Sequence, residues 1–186
     1  MLEGMSTTTV TASVATEAAP ALFHPEPAAV RRAVSRRSVA VLATVSAAGR
    51  PHAATVMYQL VDDSLYVSTR RASRKARNVA ETGRVALTIA VRRLPIGPPA
   101  TVQFQTTATI AAVDDPEIGR LAAAGRLDRI TSHGELDLPG GCFLRLRLPA
   151  RAATYALGMS LLRVLRQPLD VAGEVDLRLD PSASRV

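Results

Sequence analysis

Apolar and polar positions alternate along much of the middle of this chain. The clearest run sets Val102, Phe104, Thr106, Ala108 and Ile110 between Thr101, Gln103, Gln105, Thr107 and Thr109. A period of two over ten residues predicts a strand with one buried and one polar face. Leu144, Leu146 and Leu148 alternate with Phe143, Arg145 and Arg147 in the same way, and residues 84–91 and 65–69 form two more strands. Residues 39–45 (VAVLATV) are apolar at both parities, which predicts a strand buried on both sides. Ala48-Gly49-Arg50-Pro51 interrupts it before extended character resumes over residues 52–61, the signature of a hairpin, and Asp62-Asp63-Ser64 makes a second turn.

Helical spacing is sparser. Pro25 and Pro27 precede Ala28, Val30, Ala33 and Val34, which predicts a short amphipathic helix with proline in its first turn. Ala72, Ala76, Val79 and Ala80 share a helical face that Gly83 ends, and Asp114-Asp115-Pro116-Glu117 starts a helix reaching Ala124. A Pro/Gly loop spans residues 94–99. Residues 155–165 are apolar nearly all round and are expected to be buried, at a contact between subunits. Residues 1–24 lack periodicity and are expected to form a disordered tail, leaving residues 25–186 as one domain. Strands joined by hairpins, with few helices, predict a mainly β protein built as a small antiparallel barrel with short flanking helices.

Composition narrows the class. An apolar content of 47% excludes a disordered protein. No apolar run reaches the roughly 18 residues of a membrane helix, and the first residues lack the basic start and apolar core of a secretory leader. The single cysteine, Cys142, excludes an internal disulfide framework and leads us to expect a reducing cytoplasm. With three scattered histidines it makes no recognisable metal site. The formal charge is +7, but 22 of the 23 cations are arginine and 32 residues are alanine, a bias that GC-rich coding DNA produces without selection for a polyanion. Basic residues are not interleaved with base-stacking aromatics, so a basic module for nucleic acid or an anionic surface is the weaker reading.

Clustering changes that picture at one place. Residues 65–78 (LYVSTRRASRKARN) end a strand in Ser68 and Thr69, then begin a helix at Ser73, a good N-cap. Unpaired first-turn amides, the positive end of the helix dipole, and Arg70, Arg71, Arg74, Lys75 and Arg77 all fall together there. Such a site suits a phosphate, which the amides and hydroxyls orient and the cations neutralise.

These residues carry a family resemblance. Ser73-Arg74-Lys75 after Val67-Ser68-Thr69 resembles the phosphate-binding segment of the pyridoxamine 5′-phosphate oxidase-like, FMN-binding split-barrel proteins. The hairpin over residues 42–52 and the run over residues 78–91 are similar to the same family, which the chain matches over about residues 38–113. The resemblance implies a six-stranded antiparallel split β-barrel acting as a homodimer, with a flavin (FMN) or deazaflavin (F420) cofactor between subunits. It implies that Ser73, Arg74 and Lys75 hold the cofactor phosphate with help from Ser68 and Thr69. Thr55, Val56, Met57 and Tyr58 would run along the ring system, and Gln103 or Thr101 would meet the ring edge.

The sequence departs from authentic pyridoxamine-phosphate oxidases in two ways. Their arginine-led second strand is replaced by residues 52–57 (HAATVM), and the chain has no tryptophan for their substrate segment. The resemblance therefore points to hydride transfer with a small organic substrate other than vitamin B6. The surplus of arginines near Ser73 leans toward F420, whose phosphodiester and carboxylate tail call for more cations. The alternative within the same fold is a protein that binds or degrades haem, with His52 or His133 as ligand. Met57 and Tyr58 are equally compatible with barrel packing, and Cys142 with a buried inert thiol.

Overall fold

A computed structural model describes residues 23–91, 100–166 and 171–177 of the chain. The elements run α1 (Pro27–Arg36), β1 (Val39–Val45), β2 (Pro51–Met57), β3 (Gln59–Val61), β4 (Ser64–Arg70), α2 (Arg74–Thr82), β5 (Arg84–Val91) and β6 (Ala100–Ala112). They continue with α3 (Pro116–Ala123), α4 (Asp128–Thr131), a 3₁₀ turn (Glu135–Asp137), β7 (Gly141–Arg147), β8 (Arg151–Tyr155), α5 (Leu161–Arg166) and β9 (Ala172–Asp176). The loop expected at residues 94–99 lies outside the described residues, as does residues 1–22 of the expected tail.

All the strands pair antiparallel, in the order β2-β1-β5-β6-β7-β4-β3, with β8 on β6 and β9 on β8. β6 is long enough to serve both halves: Ala100 to Thr107 pair with β5, and Ala108 to Ala112 pair with β7. The two ends of the sheet meet only through the chain at Tyr58, between β2 and β3, while β2 and β4 are not laddered together. The sheet therefore curls into a barrel with a split between β2 and β4. The mainly β, split-barrel expectation is met, with nine strands among the described residues rather than six. Residues 52–61 divide into β2 and β3 because Tyr58 turns inward, and β8 and β9 arise from the C-terminal region.

Tyr58 explains its own break. It is fully buried, its N–H donates to Ser38 O at 2.7 Å, and its hydroxyl donates to Val34 O of α1 at 2.7 Å. One side chain thus ties the strand switch to the helix that covers the barrel. The main core contains Val30 and Val34 of α1, Leu42, Leu65, Val67, Leu87, Ile89, Val102, Leu144 and Leu146. A second, smaller core sits outside the barrel wall, where α3 and α4 cover Tyr66 and Phe143 with Ile118, Leu127 and Ile130. Alternation in the β7 sequence assigns Phe143 to the polar face, and the covering helices overturn that.

Three further expectations change. β1 is not buried on both sides: Ala40, Leu42 and Thr44 face the core, but Val39 and Val41 are 50% and 45% exposed because none of the described residues packs over them on the outer face of β1 and β2. In α2 the buried positions are Ala76, Asn78 and Val79, Ala80 is exposed, and Ala72 lies outside the helix in the exposed turn before it. Asn78 is admitted because its amide donates to the Thr44 hydroxyl at 2.9 Å, which satisfies both buried groups. Residues 155–165 bury Ala156, Leu157, Met159 and Val164 in the chain's own core and leave Leu162 and Leu165 exposed.

The predicted caps at Ser73, Gly83 and Asp115 hold, and Glu26 adds one that the sequence did not suggest. Gly83 ends α2 at φ +64°, a conformation that favours glycine, and its carbonyl receives the Ala108 N–H. Glu26 caps α1, accepting from the amides of Ala28 and Ala29, and Asp115 caps α3. Phe23 reaches β9, donating to Ala172 O and accepting from Glu174 N–H.

Tyr58→Phe removes one hydroxyl and leaves the Val34 carbonyl buried without that donor. The variant is expected to lose about 1–3 kcal/mol of stability with its fold retained, measurable as a lower urea midpoint at unchanged slope.

Candidate functional site

The split in the barrel brings two kinds of unsatisfied backbone together. β2 is an end strand of the sheet, so only one of its edges is laddered. Tyr58 N–H bonds Ser38 O, and antiparallel pairs alternate, so Val56 and Ala54 direct their backbone groups at β1. Thr55 and Met57 then direct theirs at the split. Their side chains are exposed on the outer face, whereas Val56 and Tyr58 point into the core.

Across the split, β4 delivers Thr69 to the start of α2, which packs on β1, β2 and β6. Ser73 is extended (φ −68°, ψ 151°), and its hydroxyl accepts the Ala76 amide at 3.3 Å. The Thr69 and Ser73 hydroxyls lie 3.2 Å apart. The first intrahelical backbone bond is Arg77 N–H to Ser73 O, so the amides of Arg74 and Lys75 open the helix with no acceptor behind them. No acidic residue stands in that first turn. The preceding turn is held by Ser73 N–H to Arg70 O and by Arg71 N–H to Gly140 O.

Charge at this end is unmatched. Among the described residues none of Arg70, Arg71, Arg74 and Lys75 takes part in an ion pair. Arg77 differs, because its guanidinium donates to Ala72 O within the same turn. Lys75 is half-buried and the three arginines are exposed. Beneath them Cys142 pairs in register with Thr69 and is buried. Burial pushes its thiol up, while the positive charges of Arg71 and Lys75 pull it the other way. Two hydroxyls, two open amides and these cations make a cradle suited to a phosphate.

The structure thus brings Thr69, Ser73, Arg74 and Lys75 together and sets them across the split from the edge of Thr55 and Met57. It does not bring in every candidate. Ser68 shares its face of β4 with Tyr66 and pairs with Phe143, opposite to Thr69. Tyr58 is engaged in the core by its bond to α1. The register sets Thr55, Val41, Thr88 and Gln103 in one row across four strands. Three strand spacings separate its ends, about 14 Å, so Gln103 lies well away from the Thr55 edge of its own chain. Its amide bonds Thr101, which shares its face. His52 is half-buried on β2, and His133 is exposed in the turn after α4, on the outer side of β4. No group of three or more metal-ligating side chains occurs among the described residues, and no described helix is long and apolar enough to cross a membrane.

One contributor escaped the sequence reading. Gly140-Gly141 forms the turn that receives Arg71 N–H, and a Cβ on Gly141 would lie 2.8 Å from Leu138 O. The glycine pair ahead of the Cys142 strand was the available signal.

Comparison with known proteins places this geometry among relatives. Residues 27–145 match the sequence family described as pyridoxamine 5′-phosphate oxidase. No curated protein matches the sequence. Among solved structures, the haem-storage protein HutZ of Vibrio cholerae aligns at TM-score 0.57 and 20% identity, over 68% of this chain and 92% of that one. A haem-binding protein of Mycobacterium smegmatis aligns at TM-score 0.59 and 23% identity, over 72% of this chain and 55% of that one. An FAD-binding protein of Mesorhizobium loti aligns at TM-score 0.54 and 15% identity, over 67% and 88%. At these identities the likeness is one of fold.

Two outcomes follow from the cradle itself. Ser73→Ala, which removes the cap, is expected to cost about 1 kcal/mol, and Ser73→Gly only a few tenths, by urea denaturation. Because burial raises the Cys142 thiol, the folded protein holds it neutral where the unfolded chain has begun to ionise it. Its contribution to stability is complete below the unfolded value and is lost as pH rises through the folded one. Iodoacetamide should accordingly label Cys142 far more slowly in the folded protein than in urea at the same alkaline pH.

Proposed function

The chain belongs to the pyridoxamine 5′-phosphate oxidase family, and from that premise we propose that it is an oxidoreductase using FMN or the deazaflavin F420 with a small organic substrate. The observation that carries this reading is the cradle at the start of α2, where Thr69, Ser73, the Arg74 and Lys75 amides and unmatched cations converge. That cradle fits a cofactor phosphate. Bound there, the ring system supplies the hydride chemistry, and the protein supplies orientation, charge and exclusion of water.

The backbone edge of Thr55 and Met57 is available to bond the polar rim of a ring lying in the split. Arg70 and Arg71 exceed the need of one phosphate, which favours F420, whose tail carries further negative charge. No side chain in the cleft is required as an acid or base. The substrate class stops at a small organic molecule, and replacement of the family's second-strand arginine and loss of tryptophan argue against vitamin B6.

A homodimer belongs to the same proposal. Val39, Val41 and Met57 are exposed on one open sheet face, together with Thr55, Thr88 and Gln103. A second copy seated on this face would cover those apolar groups. It would also let Gln103 of one subunit approach the Thr55 edge of the other, which the row spacing denies it within one chain.

Titration with FMN and with F420, comparing wild type with Arg74→Ala and Lys75→Ala, tests the cradle. Each variant is expected to lose about 1.5–3 kcal/mol of binding, roughly 10- to 150-fold in Kd. Unchanged affinity in both would sink the phosphate placement. Haemin binding with a Soret band, in a protein that takes neither FMN nor F420, would replace this reading by the haem one. Val41→Glu is expected to convert a dimer to a monomer by light scattering.

A further inference from the structure

A second concavity lies on the outward face of β4, β7 and β6, the face of β4 opposite to Thr69. Register sets its floor: Tyr66, Arg145 and Thr109 form one cross-strand row, and Ser64 pairs with Arg147 in the next, with Thr107 beside them on β6. Glu117 and Leu121 of α3 and the turn at Asp62 and Asp63 form its walls, and the groove, open to solvent on one side, has a volume of about 640 Å³.

The plain explanation of such a face is that it meets water. Two observations go beyond it. The first is that the floor is tied to one wall through Glu117. Tyr66 is 2% exposed, and its hydroxyl donates to Glu117 Oε1 at 2.7 Å. Arg145 donates to Glu117 Oε2 at 2.8 Å and, through Nε, to Ser64 Oγ at 3.3 Å. Thr106 donates to Arg147 O at 2.7 Å, which fixes the backbone from which the Arg147 side chain rises.

The second observation is a charge imbalance. Every carboxylate around the cavity is matched: Asp62 to Arg126 at 2.7 Å, Asp63 to Arg31 at 2.9 Å, and Glu117 to Arg145 at 2.8 Å. The Arg147 guanidinium has no partner among the described residues, nor do the hydroxyls of Thr107 and Thr109. The cavity therefore offers one spare forked cation and two spare hydroxyls above a rigid polar floor, with Val61 and Leu121 as its apolar lining.

We propose that this cavity is a second ligand site, which takes a small monoanionic organic acid. The carboxylate is gripped by Arg147, with Thr107 and Thr109 donating to it, and the body of the acid lies over Val61 and Leu121. A single unmatched cation sets the charge at one, because a second carboxylate would meet only paired groups. Forked geometry favours a carboxylate over a halide. The site stands on the opposite face of β4 from the cradle at Ser73, so it does not depend on which cofactor, if any, that cradle holds.

The test is a titration of the full chain with sodium benzoate at constant ionic strength. It is followed by NMR of the threonine methyl and arginine Nε–H signals, with sodium chloride and benzyl alcohol as ionic and neutral controls. Saturable shifts at Thr107, Thr109 and Arg147 are expected. Arg147→Gln should weaken benzoate at least ten-fold, and benzyl alcohol should bind wild type at least ten-fold more weakly than benzoate. Thr107→Val, which leaves the arginine in place, should weaken benzoate several-fold and gives an independent measure of the same site. Shifts that fail to saturate, that persist undiminished in both variants, or that benzyl alcohol reproduces at equal concentration overturn the proposal.

Discussion

A backbone edge left without a partner governs this molecule. The sheet begins at β2 and ends at β3, and the two are joined by one buried tyrosine rather than by a ladder. Exposed strand edges are ordinarily a hazard, because their donors and acceptors invite pairing with any other strand. Here the edge at Thr55 and Met57 faces a cleft, and the opposite wall of that cleft is a helix start whose amides are likewise open. Two sets of polar backbone groups that secondary structure does not satisfy thus converge on one place. On the function proposed above, a flat polar ring with a phosphate on its tail is what would satisfy both.

The local grammar of the chain was legible to a large extent. Ser73, Gly83 and Asp115 act as the caps their residue types and positions suggest, because capping depends on a few neighbouring atoms. Alternation over residues 101–110 gives the right inward face, since pleating fixes parity. Features that depend on distant packing were not legible. Phe143 and Tyr66 look solvent-facing by parity but lie under α3 and α4, and Asn78 is buried only because Thr44 waits for it from another strand. The same limit applies within the cleft. Thr69 and Ser73 meet because they lie four residues apart across one turn. Sequence proximity cannot tell Ser68 from Thr69, whereas the pleat of β4 sends them to opposite faces.

The arginine surplus divides in the folded chain. Arg31, Arg126 and Arg145 are held by carboxylates, and Arg77 by a carbonyl of its own turn. Others carry no ion pair and are exposed at scattered places, such as Arg32, Arg50, Arg84 and Arg120, but Arg70, Arg71, Arg74 and Lys75 stand together at one helix start, and Arg147 lines the outer cavity. Background composition explains how many cations the chain has. Pairing determines where their charge is still available to a ligand.

The contact of Phe23 with β9 joins the two ends of the described chain. His24 donates from Nδ1 to Glu174 O across 150 residues of sequence, and Arg31 donates to Leu177 O across 146. Closing so long a loop costs entropy, and the contact is held because both ends are anchored in the main core, α1 by Val30 and Val34 and the β9 region by Val171, Val175 and Leu177. A break at either end is therefore felt in the barrel itself.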